Sequence, residues 1–447
     1  MHSPTRRVLA ALLFLVGTLA LPSQAQQSTI TVITSFPKEL TDAYKRAFER
    51  ANPSIKVEML NKNTKAAIST IRETPLGRRP EIFWASAPDA FEVLAREKLL
   101  LPIADLRNRQ SAEKVGAFPM NDPEGLYLGQ ALAGYGLMWN TRYMQANKLP
   151  PPAEWEDLTK PVYFGHVALS SPSRSGTTHL TVETILQGEG WDRGWSQLLQ
   201  IAGNAAVVTD RSFAVPDGVN NGQYGIGLVI DFFGLAGRYS GFPVQFVYPT
   251  KTAVAPASIA LVLGSANSEA ARKFIAFAVS TEGQELLLDP KVSRLPILPL
   301  ATFGAKVPKD YPDIFETAKR VKVSFDTDLS ESRYFLVTSL FDQSITFRLK
   351  DLQAATKAIH EAERRLAAKP NAQAAALLKQ ARELAFSPIV SGQLAADPKF
   401  VAQFGANKQS AELSKQVTGL EDSWNRKAKA NYEKARGLAE QAASMAK

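Results

Sequence analysis

The sequence predicts an α/β protein that ends in a helical appendage. Three observations carry this. Short β-branched runs alternate with amphipathic helical stretches from residue 30 onward, and such alternation builds parallel sheets. Apolar strand-like runs recur as far as Ala257 to Leu263. From about Ser330 the strand signals stop, and alanine, lysine, glutamate and glutamine dominate.

The first residues read as a leader rather than as fold. Arg6 and Arg7 precede an apolar run from Val8 to Leu21, and Pro22-Ser23-Gln24-Ala25 supplies the small residues a signal peptidase reads. Cleavage after about Ala25 is expected. The run is short for a membrane span, and no later stretch is more apolar, so the mature chain is expected to be exported and soluble.

The first strand is Ile30-Thr31-Val32-Ile33-Thr34, ending in Ser35-Phe36-Pro37. A helix follows, with Leu40, Tyr44, Ala47, Phe48 and Ala51 at helical spacing, and Asn52-Pro53 stops it. Ile55 to Met59 alternates as a strand. The pattern repeats with a helix around Lys65 to Arg72, a strand at Glu81 to Ala85 and a helix from Asp89 to Arg96. Ligands of open parallel sheets bind beyond the C-terminal strand ends. Two such ends here, Ser35-Phe36 and Ser86-Ala87-Pro88-Asp89, are rich in small and hydroxyl residues.

A second α/β run begins near Gly134. Its strand Gly165 to Leu169 feeds the loop Ser171-Pro172-Ser173-Arg174-Ser175-Gly176-Thr177-Thr178-His179, and a helix follows from Leu180. Such a loop, rich in hydroxyls and opening a helix, gathers free N–H groups and the positive dipole end at one point, which suits an anion. Strand-like runs return at Ala205 to Val208 and Gly225 to Ile230. Helices are predicted from Glu269 to Ala278 and after Thr281, where Thr281-Glu282-Gly283-Gln284 matches a capping box. In the appendage, Asp351 to Lys369, Ala372 to Phe386 and Lys408 to Ala446 read as helices, with breaks at Lys369-Pro370, Ser387-Pro388 and the glycines 392, 405 and 419. Its apolar stripes are expected to pack as a small bundle or onto the main body.

Composition excludes several classes. The 447 residues contain no cysteine and four histidines, of which His2 leaves with the leader. Thiolate chemistry is absent, and a zinc or facial-triad site is unsupported. The formal charge of +9 comes from 52 basic and 43 acidic residues, dispersed without long basic runs, so no nucleic-acid footprint is present. No G-x-S-x-G elbow is found.

The segments Gly134 to Thr141, Ser171 to Thr178, Ile259 to Val262 and Glu269 to Ala278, with Glu282 to Leu287, occur in an order and spacing that identify a resemblance. Over roughly residues 28–330 the chain resembles the periplasmic solute-binding proteins of ABC importers, in the branch that includes the ferric-iron binders. The resemblance implies two α/β lobes with the ligand in a cleft between them. One lobe would comprise residues 28–132 with 251–330, the other 133–250, and residues 331–447 would form the helical extension. It also implies hinge closure, periplasmic location, delivery to an ABC permease, no cofactor and no catalysis. The extension most resembles members of this branch connected with phosphoglycerate transport regulation, which implies a membrane sensor kinase as a further partner.

One departure matters. The ferric binders carry adjacent tyrosines after the strand that here reads Gly225 to Ile230, and this chain has Asp231-Phe232-Phe233-Gly234. Phenylalanine cannot ligate iron, so the expected ligand is a phosphorylated or phosphonate organic anion. Ser173, Arg174, Ser175, Gly176, Thr177 and Thr178 would receive its anionic end. Ser35, Phe36, Ser86 and Asp89 would line the facing lobe, with Trp84 stacking on the carbon skeleton and Asp231 meeting hydroxyls or an ammonium group. Thr209 to Ser212 follow another strand toward the same place, and His179 reads as a helix-surface or packing residue rather than a ligand contact. A regulatory ligand sensor, a ferric binder and a secreted hydrolase are the alternative functions.

Overall fold

The computed structural model describes residues 27–116, 118–309, 311–405 and 411–446. The predicted leader lies outside them, as do residues 408–410 at the start of the last predicted helix. Among the described residues no helix is long and apolar enough to cross a membrane.

The first lobe is built on three parallel strands. Ser28–Thr34 pairs with Ile55–Asn61 on one side, Ser28 opposite Ile55, and with Ile82–Ala85 on the other, Val32 opposite Ile82. Helices Lys38–Ala51 and Thr64–Glu73 make the crossovers, and Pro88–Arg96 follows the third strand. Helix Lys38–Ala51 buries Leu40, Tyr44, Ala47 and Phe48 as its spacing predicts, whereas Ala51 at its end is exposed. Tyr44 meets Trp84 edge-on at 5.0 Å, and Phe48 meets Phe274 of helix Ser268–Val279 at 5.1 Å. Each such pair contributes about 0.5–1.5 kcal/mol beyond area burial. Strands Ser28–Thr34 and Ile82–Ala85 run parallel, so Ser35-Phe36 and Ser86-Ala87 leave the sheet at one edge.

The second lobe repeats the plan, with Val167–Ser170 between parallel neighbours Ile226–Ile230 and Ala205–Thr209. Helices Gly176–Glu189 and Trp191–Gly203 cover it.

One strand belongs to both lobes. Leu128–Asn140 runs 13 residues and is buried throughout apart from Trp139. Its first half pairs antiparallel with Val254–Val262, up to Gly134 opposite Val254. From Tyr135 onward its partners are Ile226–Ile230 on one side and Val244–Val247 on the other. The switch between Gly134 and Tyr135 leaves two strand segments spanning the lobes, Leu128–Asn140 outward and the run from Val244 into Val254 back. Asp231 fastens this crossing. Its carboxylate accepts from Gly134 N at 2.6 Å, Phe232 N at 2.7 Å and the Tyr248 hydroxyl at 2.8 Å.

The extension is helical, as expected, and it does both things its stripes allow. Helices Leu349–Ala368, Ala372–Phe386 and Ala411–Met445 form a bundle, and the first two also pack on Trp191–Gly203 of the second lobe. Ala428, Ala435, Ala439 and Ala442 are buried along the last helix, where small side chains permit close approach. Gly419, read as a break, lies inside this 35-residue helix. Glycine costs a helix only about 1 kcal/mol, which burial of neighbouring Val417 and Trp424 readily offsets. Helix Tyr334–Ser344 was not anticipated, because its apolar residues come in runs, Tyr334 to Val337 and Leu340-Phe341, and give no clear periodic stripe.

Between lobe and bundle, residues 327–342 run along the seam of the two lobes. Ser330 Oγ donates to Asp89 Oδ2 of the first lobe at 3.1 Å and lies 3.3 Å from His179 Nε2 of the second. His179 is fully buried, 3.0 Å from Asp89 and against the Tyr334 ring, so of the two roles read for it, helix surface or packing, it is the packing one. Arg96 pairs with Glu331 at 2.9 Å, and Arg333 forms a two-pronged ion pair with buried Glu183 at 2.9 and 2.7 Å. Ser171 Oγ donates to Asp342 at 2.6 Å. The extension therefore holds both lobes.

Candidate functional site

The strand ends of the two lobes meet at a narrow slot. Ser35, Phe36 and Ser86 line it from the first lobe, and Arg174, Ser175, Thr177, Arg211 and Ser212 from the second. Ser86 Oγ lies 3.1 Å from Thr177 Oγ1, and Gly176 N donates to Thr64 Oγ1 at 3.0 Å, so the lobes are hydrogen-bonded across the gap. Ser175 caps helix Gly176–Glu189 by accepting from Thr178 N at 3.2 Å. The free volume of the slot is ≈ 10 Å³, about one water. The lobes here are closed upon each other.

The slot shares Pro37, Phe213, Phe232 and Phe233 with a neighbouring chamber of ≈ 680 Å³, whose walls also include Asn61, Asn220 and Arg294. Its charged rim comprises Lys38, Glu39, Asp217 and Lys291, all exposed.

Charge distinguishes this seam. Arg211 makes no ion pair among the described residues. Its Nη2 donates across the seam to Asn61 Oδ1 at 2.8 Å, its guanidinium lies 5.0 Å from the Phe213 ring centre, and burial pushes its pKa down. Arg294 is 2% exposed and also has no carboxylate within ion-pair distance among the described residues. Arg174 pairs with exposed Asp210. Arg211 beside five hydroxyl residues and a helix N-terminus in the slot, with Arg294 in the adjoining chamber, makes a place for an anion. A larger cavity of ≈ 950 Å³ lies elsewhere, against helix Pro88–Arg96. Its wall carries Glu92, Asp122, Glu124, Asp326 and Asp328 against Arg96 and Lys98, an excess of acid that repels anions.

Of the residues singled out in sequence, Ser35, Phe36, Ser86, Arg174, Ser175 and Thr177 come together at the slot. Gly176 supports it from behind, packed on Ala87 and Thr64. Ser173 is turned to Ser171 at 2.8 Å, and Thr178 faces a small interior cavity with Leu169 and Val182. Three expectations need correcting. Trp84 is core: it is 0% exposed and its indole N–H donates to Gln130, because the inward-facing residue of a central strand packs between helices. Asp89 sits with His179 and Ser330 and does not line the slot. Asp231 fastens the crossing strands, and burial pushes its carboxyl up to about 7 against the hydrogen bonds from Gly134, Tyr248 and Phe232. Arg294 escaped notice altogether. Its signal was a lone cation in the apolar run Val292 to Leu298, where a solvated arginine is out of place.

The sequence profile of the bacterial extracellular solute-binding proteins matches residues 79–327. The phosphoglycerate transport regulatory protein PgtC of Salmonella typhimurium is 30% identical over 390 residues, spanning 87% of this chain and 92% of that one. Among solved structures, the periplasmic binding protein AfuA of Actinobacillus pleuropneumoniae, with fructose-6-phosphate bound, superposes with a TM-score of 0.62 at 16% identity, over 72% of this chain and 99% of that one. Iron-bound HitA of Pseudomonas aeruginosa gives 0.58 at 17% identity, over 70% and 98%. The two-lobed fold expected from the motifs is thus shared with periplasmic binding proteins, and by profile and by homology over nearly its whole length the chain belongs to the bacterial extracellular solute-binding protein family.

Proposed function

We propose that the protein captures a small phosphorylated organic anion between its lobes and presents it to an ABC permease. The observation that carries this reading is Arg211, a half-buried cation with no ion pair among the described residues that lines a slot of hydroxyls at the lobe seam. A phosphate group supplies the missing charge and accepts from Ser86, Ser175 and Thr177 together. The relatives support the class: one is named for phosphoglycerate transport and one holds a sugar phosphate. No step of bond breaking is needed, and the ligand leaves unchanged.

The test is a thermal-shift and calorimetry panel of 3-phosphoglycerate, fructose 6-phosphate, aminoethylphosphonate and ferric citrate. Phosphorylated compounds raise the melting temperature because they bind only the folded state. Arg211→Gln lowers their affinity about 10–100-fold, the loss of hydrogen bonds to a charged group. A shift with iron alone overturns the reading in favour of a metal carrier, and release of inorganic phosphate overturns it in favour of a hydrolase.

The seam-spanning segment supports regulation as a second role. Because Ser330 touches both Asp89 and His179, lobe opening must disturb the extension. Ligand is expected to slow amide exchange in residues 327–342, and unchanged exchange there excludes this role.

A further inference from the structure

We infer that Arg294 is a second anion anchor, placed in the ≈ 680 Å³ chamber to receive a carboxylate at the end of the ligand remote from its phosphate. The inference rests on the phosphate-binding reading of the slot and narrows the ligand to a short phosphorylated carboxylic acid.

The guanidinium of Arg294 lies between two phenyl rings. Its carbon is 4.2 Å from the Phe36 ring centre in the first lobe and 3.4 Å from the Phe232 ring centre in the second. Rings over both faces leave only the planar edge of the fork for hydrogen bonding, which is the geometry that meets a carboxylate bidentately. Its side chain makes no hydrogen bond among the described residues, and Nη2 is buried without an acceptor. Asp231 lies close enough to act on it electrostatically, but that carboxylate is occupied by Gly134, Phe232 and Tyr248 and is not in ion-pair contact. At the rim, Lys38 and Lys291 are balanced by Glu39 and Asp217, so the uncompensated charge of the chamber is that of Arg294.

A structural role does not account for this side chain. Two facing rings pack at least as well on methionine or leucine, and a buried cation without a partner costs free energy. Burial pushes its pKa down to about 9. Since Phe36 and Phe232 come from different lobes, the sandwich is complete only when the lobes are closed. A carboxylate that engages the fork therefore favours closure, which links the second anchor to capture.

The experiment compares 3-phosphoglycerate with glycerol 3-phosphate, which differ in a carboxylate against a hydroxymethyl group, by calorimetry on wild type, Arg294→Met and Arg294→Lys. Wild type is expected to prefer 3-phosphoglycerate by about ten-fold or more. Arg294→Met removes that preference while leaving glycerol 3-phosphate binding within a few-fold. Arg294→Lys, which keeps the charge and loses the fork, falls between. Unliganded Arg294→Met should melt at or above the wild-type temperature, since an unpaired buried charge has gone. Equal affinity of wild type for the two compounds overturns the second anchor and leaves the phosphate reading standing. Binding of neither compound overturns both. A preference that survives in Arg294→Met, or a variant that melts lower with its preference intact, assigns Arg294 to packing alone.

Discussion

Arg333→Met is expected to lower the stability of the protein by about 3–5 kcal/mol, measured as the shift of its urea unfolding curve. Glu183 is 0% exposed, on helix Gly176–Glu189, and both its oxygens accept from Arg333. Taking away the guanidinium strands a carboxylate in the interior, where little else solvates it. Arg333 also lies over Trp191, 5.1 Å from the ring centre, so packing is lost with the charge. The consequence reaches beyond stability because of where the pair sits. Residues 327–333 join the first lobe to the bundle, and this ion pair is their main attachment to the second lobe. Protease cleavage between residues 319 and 333 is expected to accelerate in the variant. The double variant Glu183→Leu with Arg333→Met recovers most of the loss, since replacing both ions by apolar groups is often neutral. A loss below about 1 kcal/mol in the single variant contradicts the interpretation.

The fold of the lobes was legible because it is built from local patterns. Strand and helix periods are written in runs such as Ile30 to Thr34 and Leu40 to Phe48, and burial follows them. The long strand Leu128–Asn140 was not read as a strand, and only the start of a second α/β run near Gly134 was expected there, since a strand buried on both faces loses its alternation. Of the residues singled out close to strand ends, Ser35, Phe36, Ser86, Ser175 and Thr177 line one slot. The misplaced residues share one cause. Trp84, Asp89 and Asp231 also stand at or near strand ends, but which side of the strand they leave from depends on partners on other elements, 17 to 241 residues away. Ser330 claims Asp89 across 241 residues and Tyr248 claims Asp231. Arg294 was hidden for a different reason, because the apolar run around it reads as core, and Phe36 and Phe232 reach it from two lobes. Long-range closure, and not local propensity, decides which of these groups a ligand meets.

Gly176→Ala is expected to hold the lobes apart while leaving each lobe folded. A Cβ at this position would collide with the Ala87 methyl of the facing lobe and lie 2.9 Å from Thr64 Oγ1. The backbone there is ordinary helix, so alanine brings no conformational strain of its own, and within the second lobe it is the better helix former. The clash exists only across the seam. Rotation about the two crossing segments relieves it, at the cost of the Gly176–Thr64 and Ser86–Thr177 hydrogen bonds. Overpacking of this kind costs about 1–3 kcal/mol, charged entirely to the closed state. Affinity for the phosphorylated compound that binds wild type is therefore expected to fall about 5–150-fold, and small-angle scattering should show a larger radius of gyration with saturating ligand than wild type has. Ala87→Gly in the same chain removes the colliding methyl and is expected to restore both. If Gly176→Ala instead unfolds the second lobe, or if Ala87→Gly fails to rescue it, the residue serves local helix packing. If affinity is unchanged, the ligand does not require the seam to close, and neither Arg211 nor the slot can be its principal anchor.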